Sequence, residues 1–146
     1  MERILFYEGR WYFLSNFSSF AVEWRGEVWM TVEHAYQATK FTDETIRERI
    51  RCARSAHDSK KIAHEHQVSV RPDWRAVKLL VMESILRAKH AQHPYVQRKL
   101  LETEPAEIVE DSPTDSFWGR GPDGKGENHL GRLWMKLRDE HRTEIA

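Results

Sequence analysis

With 146 residues, 40% of them hydrophobic and 32% charged, the chain fits one globular domain with one core and not a disordered polymer. Lys+Arg and Asp+Glu balance at 23 each, which excludes a general pull towards nucleic acid or an anionic membrane while leaving room for a local basic patch. Cys52 is the single cysteine, so an internal disulfide framework is excluded and a reducing compartment fits.

No stretch approaches the ~20 apolar residues of a membrane span. The N-terminal Met-Glu-Arg-Ile-Leu-Phe-Tyr-Glu has no basic region followed by a long apolar run, so the cytoplasm is the expected location. The first thirty residues favour strands over Ile4–Tyr7, Phe20–Trp24 and Glu27–Met30, where aromatic and β-branched residues cluster. Arg25-Gly26 can close a hairpin between the last two, although Arg is an uncommon first residue for such a turn. Leu14-Ser15-Asn16-Phe17-Ser18 reads as an ordered loop.

Helices follow. Thr31 is the expected N-cap of a helix over Val32–Phe41, with Glu33 in its first turn, where the helix dipole favours an anion. Asp43 caps the next helix, on which Ile46, Ile50 and Ala53 recur at the spacing of one buried face. Ser55 caps a short helix reaching about Gln67. Asp73 is the expected cap of the longest helix, Trp74–Ala91, with Val77, Leu80, Val81, Ser84, Ile85 and Ala88 on its inner face. Pro94 suits the first turn of a helix ending near Thr103. Ile108–Glu110 reads as a short strand, and Asp111–Glu127 as a loop rich in Gly, Pro and Asp. Asn128 is placed to cap a last helix whose Leu130, Leu133, Trp134 and Leu137 face inward. The expected fold is α+β: a helix-dominated single domain over residues 1–146 with a small N-terminal β-sheet. Most of the six tryptophans are expected in the core.

Two segments are candidates for chemistry. In Thr31–Lys40 a helical turn of about 100° per residue puts Glu33, Gln37 and Lys40 on one polar stripe. Glu33 and Lys40 lie two turns apart, roughly 10 Å along the axis, a span suited to gripping both ends of a small substrate. The same pattern describes a solvated helix face. In Asp115–Gly131, five glycines permit close approach of backbone to a ligand, and a helix N-terminus behind them attracts phosphate. A mobile surface loop has the same composition, although Phe117-Trp118 argues against full solvation. Residues 119–124 match G-x-G-x-x-G only formally, since Pro122 interrupts it and no βαβ unit surrounds it. No H-E-x-x-H or Cys/His cluster occurs among the eight histidines, so no metal is expected. Cys52 has no evident partner base and is a poor candidate nucleophile.

Together these segments resemble the NADAR family, also called YbiA-like. The resemblance rests on Phe13-Leu14-Ser15-Asn16-Phe17, Val32–Ala38 with Lys40, and Trp74 with Val77-Lys78 and Met82. It continues in Asp115 with Phe117-Trp118-Gly119 and in Gly126-x-Asn128-x-Leu130-Gly131, running on to Met135 and Arg138. It extends from about Leu5 to Arg142 in order and spacing. Departures are few: Trp134-Met135 stands where members often carry Leu-Met, and Ser55–Ser69 matches less distinctly and supplies no site residue.

The resemblance implies a hydrolase of the N-glycosidic bond between ribose C1 and a nitrogen, without a metal or other cofactor. Some members resemble enzymes that split ribosylaminopyrimidine phosphates of the riboflavin pathway. Others remove ADP-ribose from guanine bases, so the partner is a small ribosyl or ADP-ribosyl substrate or an ADP-ribosylated nucleic acid. A non-catalytic ADP-ribose or nucleotide-binding module is the alternative. Carried onto this chain, the resemblance implies Glu33, Lys40 and Asp115 as catalytic residues. It implies Asn16, Phe17, Gln37, Trp74, Trp118, Gly119, Gly126, Asn128 and Gly131 as substrate contacts. Cleavage builds positive charge on the sugar and negative charge on the leaving base, so a carboxylate and a proton source are needed. Glu33 suits the first role, and Lys40 is either a nucleophile at ribose C1, through a Schiff base, or a phosphate contact.

Overall fold

The computed structural model describes residues 2–146. They form two compact units, Asn16–Gln92 and residues 2–15 with His93–Ala146. Helices predominate in both, as the α+β expectation requires.

The Asn16–Gln92 unit opens on an antiparallel hairpin, β2 (Val22–Trp24) and β3 (Glu27–Trp29), with Val22 opposite Trp29 and Trp24 opposite Glu27. Both turn residues have positive φ, Arg25 at 51° and Gly26 at 80°, as a two-residue turn of the primed type requires. The Arg25 guanidinium lies 4.2 Å from the centre of the Trp24 ring, a contact that offsets the strain of a non-glycine residue there.

Helix α1 (Val32–Thr39) starts where Thr31 Oγ1 accepts from the His34 N–H at 3.2 Å. All eight of its residues are buried, polar ones included. Helix α2 (Glu44–Arg51) begins with Asp43 Oδ1 accepting from the Thr45 and Ile46 N–H groups, and it buries Ile46 and Ile50. Helix α3 (Ala56–Glu65) is capped by Ser55.

Helix α4 (Trp74–Gln92) departs from expectation in two ways. The Asp73 carboxylate is engaged at both oxygens by Arg71, at 2.6 and 2.8 Å, and the Asp73 carbonyl accepts from the Ala76 and Val77 N–H groups. The buried face is Trp74, Val81, Met82, Ile85, Leu86 and Lys89, and Leu80 is 71% exposed. The misassignment has a simple cause. The stripe at 82, 86 and 89 carries a lysine, which masks its buried character in the sequence.

The second unit pairs β1 (Arg3–Phe6) in parallel with β4 (Glu107–Glu110), Arg3 opposite Glu107 and Phe6 opposite Glu110. The first strand therefore does not join the hairpin. A short 3-10 turn over Gly9–Leu14 follows it. Helix α5 (Pro94–Glu102) has its proline in the first turn, where a missing N–H costs nothing. Helix α6 (His129–Ile145) buries Leu130, Leu133, Trp134 and Leu137 as the periodicity predicts. Trp134 Nε1 donates to Leu14 O at 2.9 Å, and the Arg138 guanidinium donates to Thr103 Oγ1 and Ala106 O at 2.9 and 2.8 Å.

Asn128 precedes α6 in the left-handed region, φ 52°, without a side-chain capping bond. Its carboxamide binds β4 instead. Five tryptophans are buried (Trp24, Trp29, Trp74, Trp118 and Trp134). Among the described residues no helix is long and apolar enough to cross a membrane.

Candidate active site

The two segments singled out by sequence lie in different units, and their polar groups are used differently. In the Asn16–Gln92 unit, Asn16, Glu33 and Gln37 are linked. The Glu33 N–H donates to Asn16 O at 3.1 Å, and Gln37 Nε2 donates to Glu33 Oε2 at 2.6 Å. Glu33 is 6% exposed and lies in the first turn of α1, where the helix dipole favours its carboxylate. Asn16 Nδ2 points to Met82 Sδ at 3.6 Å.

That leaves two oxygens. Asn16 Oδ1 and Gln37 Oε1 are both buried and take no hydrogen bond among the described residues. The Gln37 orientation is dictated by chemistry, since reversing its amide would set an oxygen against the Glu33 carboxylate. A buried carbonyl oxygen without a donor costs ~1–3 kcal/mol. Both oxygens belong to residues bonded to Glu33, Gln37 through its amide and Asn16 through its backbone carbonyl, and they offer acceptors to a ligand that brings hydroxyl or amine donors.

At the other end of α1, Tyr36 and Trp74 pack with ring centroids 5.1 Å apart and planes at 56°. Lys40 Nζ lies 5.5 Å from the Tyr36 ring centre. Lys40 also closes α1, and its carbonyl accepts from the Arg71 N–H at 2.8 Å. The aromatic face and the helix C-terminus both favour a cation at this place. Phe17 stands edge-on to His57, ring centroids 5.7 Å apart.

His34, on the same helix, has no capacity left for chemistry. Its Nε2 faces Ala53 O at 3.0 Å and must donate, so Nδ1 accepts from the Thr31 hydroxyl at 2.8 Å. Burial pushes its pKa below the ordinary value, and it is a neutral structural residue. Cys52 is equally unsuited. Its thiol donates to Glu48 Oε1 at 3.3 Å, and that bond raises its pKa.

In the second unit the glycine-rich loop is closed upon itself. Asp115 Oδ1 accepts from the Phe117 and Trp118 N–H groups at 2.9 and 2.8 Å. The N–H groups of Gly124, Gly126, Glu127 and Asn128 all donate to loop carbonyls. They form no cradle for a phosphate. The Asn128 carboxamide acts as a surrogate peptide along β4, donating to Ile108 O and accepting from the Glu110 N–H, both at 2.9 Å. A Cβ on Gly131 would strike Ile108 O and the Asn128 amide, and one on Gly126 would strike the backbone of Gly119 and Arg120. These glycines let stretches of the protein's own backbone pack closely. Gly119 meets Glu110 in the same way.

Trp118 is buried edge-on against Phe117, centroids 4.8 Å apart. Gly126 and Asn128 also line a cavity of about 540 Å³ with Arg3, Arg120, Arg132 and Arg138. Three of these guanidiniums are paired with acids: Arg3 with Glu107, Arg120 with Asp111 and Arg138 with Glu104.

Sequence reasoning missed Tyr36, Lys89 and Ser18. Lys89 is completely buried and donates to Ser18 Oγ at 3.0 Å. Its position seven residues after Met82 was the available signal.

The NADAR domain model matches residues 5–142. The chain is 41% identical over 126 residues to N-glycosidase YbiA of Escherichia coli (strain K12), covering 86% of this chain and 79% of that protein. It is 38% identical over 128 residues to the riboflavin biosynthesis protein VVA0006 of Vibrio vulnificus (strain YJ016), covering 88% of this chain and 35% of that one. The solution NMR structure of Escherichia coli YbiA superposes with a TM-score of 0.89 at 39% identity, over 99% of this chain and 87% of that chain.

Proposed function

The chain belongs to the NADAR family and is an N-glycosidase, and we propose that the bond it hydrolyses joins ribose C1 to the nitrogen of a ribosylaminopyrimidine phosphate. One observation carries this reading. Two buried acceptors without donors, Asn16 Oδ1 and Gln37 Oε1, stand on the two residues hydrogen-bonded to the buried Glu33. A ribose brings hydroxyl donors of the kind that such acceptors lack.

In the reaction the C1–N bond breaks and its electron pair stays on the base nitrogen, which takes up a proton. Water forms the new C1–O bond and loses a proton. Glu33 faces the positive charge that develops on the sugar, or takes the proton from water, and these are the roles carboxylates perform in glycoside hydrolysis. Water is displaced from the buried site when the sugar enters, which strengthens the interaction with the carboxylate. Trp74 and Tyr36 offer aromatic surface to the base, worth ~1–3 kcal/mol by analogy with stacking of nucleic-acid bases.

Lys40 adds a cation at the same end of α1, suited to a phosphate oxygen. Its second role, attack on C1, requires an uncharged amine: Nζ bonds C1 as the C1–N bond to the base breaks, the ribose ring opens to leave an imine, and water hydrolyses that imine unless hydride reduction traps it. Covalent labelling of Lys40 by borohydride in the presence of substrate distinguishes the two.

The name of the Vibrio vulnificus relative and the balanced charge support a small phosphorylated substrate over polymeric DNA. The test incubates the purified chain with a ribosylaminopyrimidine phosphate and, separately, with ADP-ribosylated guanosine. The expected result is free base and ribose phosphate from the first. Release from the ADP-ribosylated guanosine alone would overturn the substrate assignment.

A further inference from the structure

Lys89 is out of place by ordinary packing rules. It sits on the buried stripe of α4 with Met82, Ile85 and Leu86, where a methionine or leucine would fill the same space. Burial penalises its charge and lowers its pKa from 10.5 to about 7. Replacing such a lysine with an apolar side chain of similar volume therefore tends to be neutral or stabilising. A costly group kept inside a fold invites a reason other than stability.

The contacts supply one. Lys89 Nζ donates to Ser18 Oγ at 3.0 Å and lies 5.0 Å from the Phe20 ring centre. Seven residues earlier on the same face, Met82 Sδ receives Asn16 Nδ2. Helix α4 thus grips one short loop at two points, Asn16 and Ser18. That loop presents Asn16 O to the Glu33 N–H and carries the unsatisfied Asn16 Oδ1. Ser18 is itself buried, so its hydroxyl is held in place by the fold and not by solvent. Of the two grips, the thioether contact is weak and poorly directional. The amine-to-hydroxyl bond is the directional one.

We propose that Lys89 is a positioning residue for the N-glycosidase reaction, fixing through Ser18 the loop that sets Asn16 against Glu33. It touches neither sugar nor base. Its effect is on where the Asn16 acceptor stands when the sugar's charge develops, and misplacement by ~1 Å is enough to cost a reaction on the order of 100-fold. The proposal rests on the site reading given above.

The experiment compares wild type, Lys89→Met, Ser18→Ala and the double variant on the ribosylaminopyrimidine phosphate, with thermal unfolding measured for each. Lys89→Met keeps the stem and removes the donor. The expected result is a kcat lowered on the order of 10- to 100-fold, a KM changed by far less, and a melting temperature equal to or above wild type. Ser18→Ala is expected to lower kcat in the same sense. The double variant should be no worse than the poorer single one, because both lesions remove one bond.

Wild-type kcat in Lys89→Met or in Ser18→Ala overturns the proposal. So does a loss of kcat matched by a fall in melting temperature in both variants, since that is what a purely structural lysine gives. If Lys89→Met does not fold, Ser18→Ala alone decides by the same criteria. An inactive wild type would instead refute the substrate reading, a separate outcome.

Discussion

Helix α1 and the glycine-rich loop looked alike in the sequence, each a polar segment readable as a site or as surface. The structure separates them by how their hydrogen-bonding groups are used. On α1 every residue is buried, yet two carbonyl oxygens in and beside it have no donor. In the loop, four successive N–H groups from Gly124 onward, Lys125 excepted, go to loop carbonyls, and Asn128 completes the edge of β4. The Lys125 N–H is taken by the Asp123 carboxylate. One region has buried acceptors that no protein group among the described residues satisfies, a feature folding alone disfavours. The other uses its polarity to hold its own shape. Glycine content in this loop reflects close packing against the protein's own backbone.

That contrast predicts that lesions in α1 register first in activity and lesions in the loop first in stability. The largest effect is expected from Glu33→Gln, a loss of roughly 10²- to 10⁴-fold in kcat. Thermal unfolding should show no matching fall, because neutralising a buried carboxylate removes a desolvation cost. Equal turnover by this variant would break the comparison on the α1 side. Next comes Asn128→Ala, which strips a donor from Ile108 O and an acceptor from the Glu110 N–H. Denaturant unfolding should show a loss of about 2–3 kcal/mol. An unchanged midpoint would mean that the loop is not held by β4.

The smallest effect concerns pH. His34 has a lowered pKa in the folded chain, so the unfolded state binds the proton more readily. Its contribution to stability is present above the unfolded value near 6.5 and is lost as pH falls through the lower folded value, with a slope of at most about 1.4 kcal/mol per pH unit. Replacing His34 with Gln should flatten that part of the stability profile. A profile identical to wild type would show that the imidazole is not held neutral.

Much of this architecture was legible in local pattern. Thr31, Asp43 and Ser55 cap their helices because a side-chain oxygen before an apolar run has few other uses. The face of α6 follows from the 3.6-residue period alone. What was not legible depends on distant chain. The parallel pairing of Arg3 with Glu107 joins segments a hundred residues apart, and no local signal encodes it. Asn128 was read as an ordinary cap, but its carboxamide has a better partner in β4, a choice visible only once the strand is in place. Leu80 was placed inside and lies outside because Lys89 disguised the true stripe. For the candidate site, spacing put Glu33 and Gln37 together correctly. It left their burial undetermined, and burial is what distinguishes a site from a surface.

Asn16→Ala tests the central claim most directly, that the unsatisfied acceptors on the residues bonded to Glu33 receive the sugar. It removes one of them and costs the fold only the contact with Met82 Sδ. The measurement is kcat/KM for base release alongside the unfolding midpoint. The account predicts a fall of roughly 5- to 150-fold in kcat/KM, equivalent to ~1–3 kcal/mol, with the midpoint close to wild type. Wild-type kcat/KM in a variant that folds normally would contradict it.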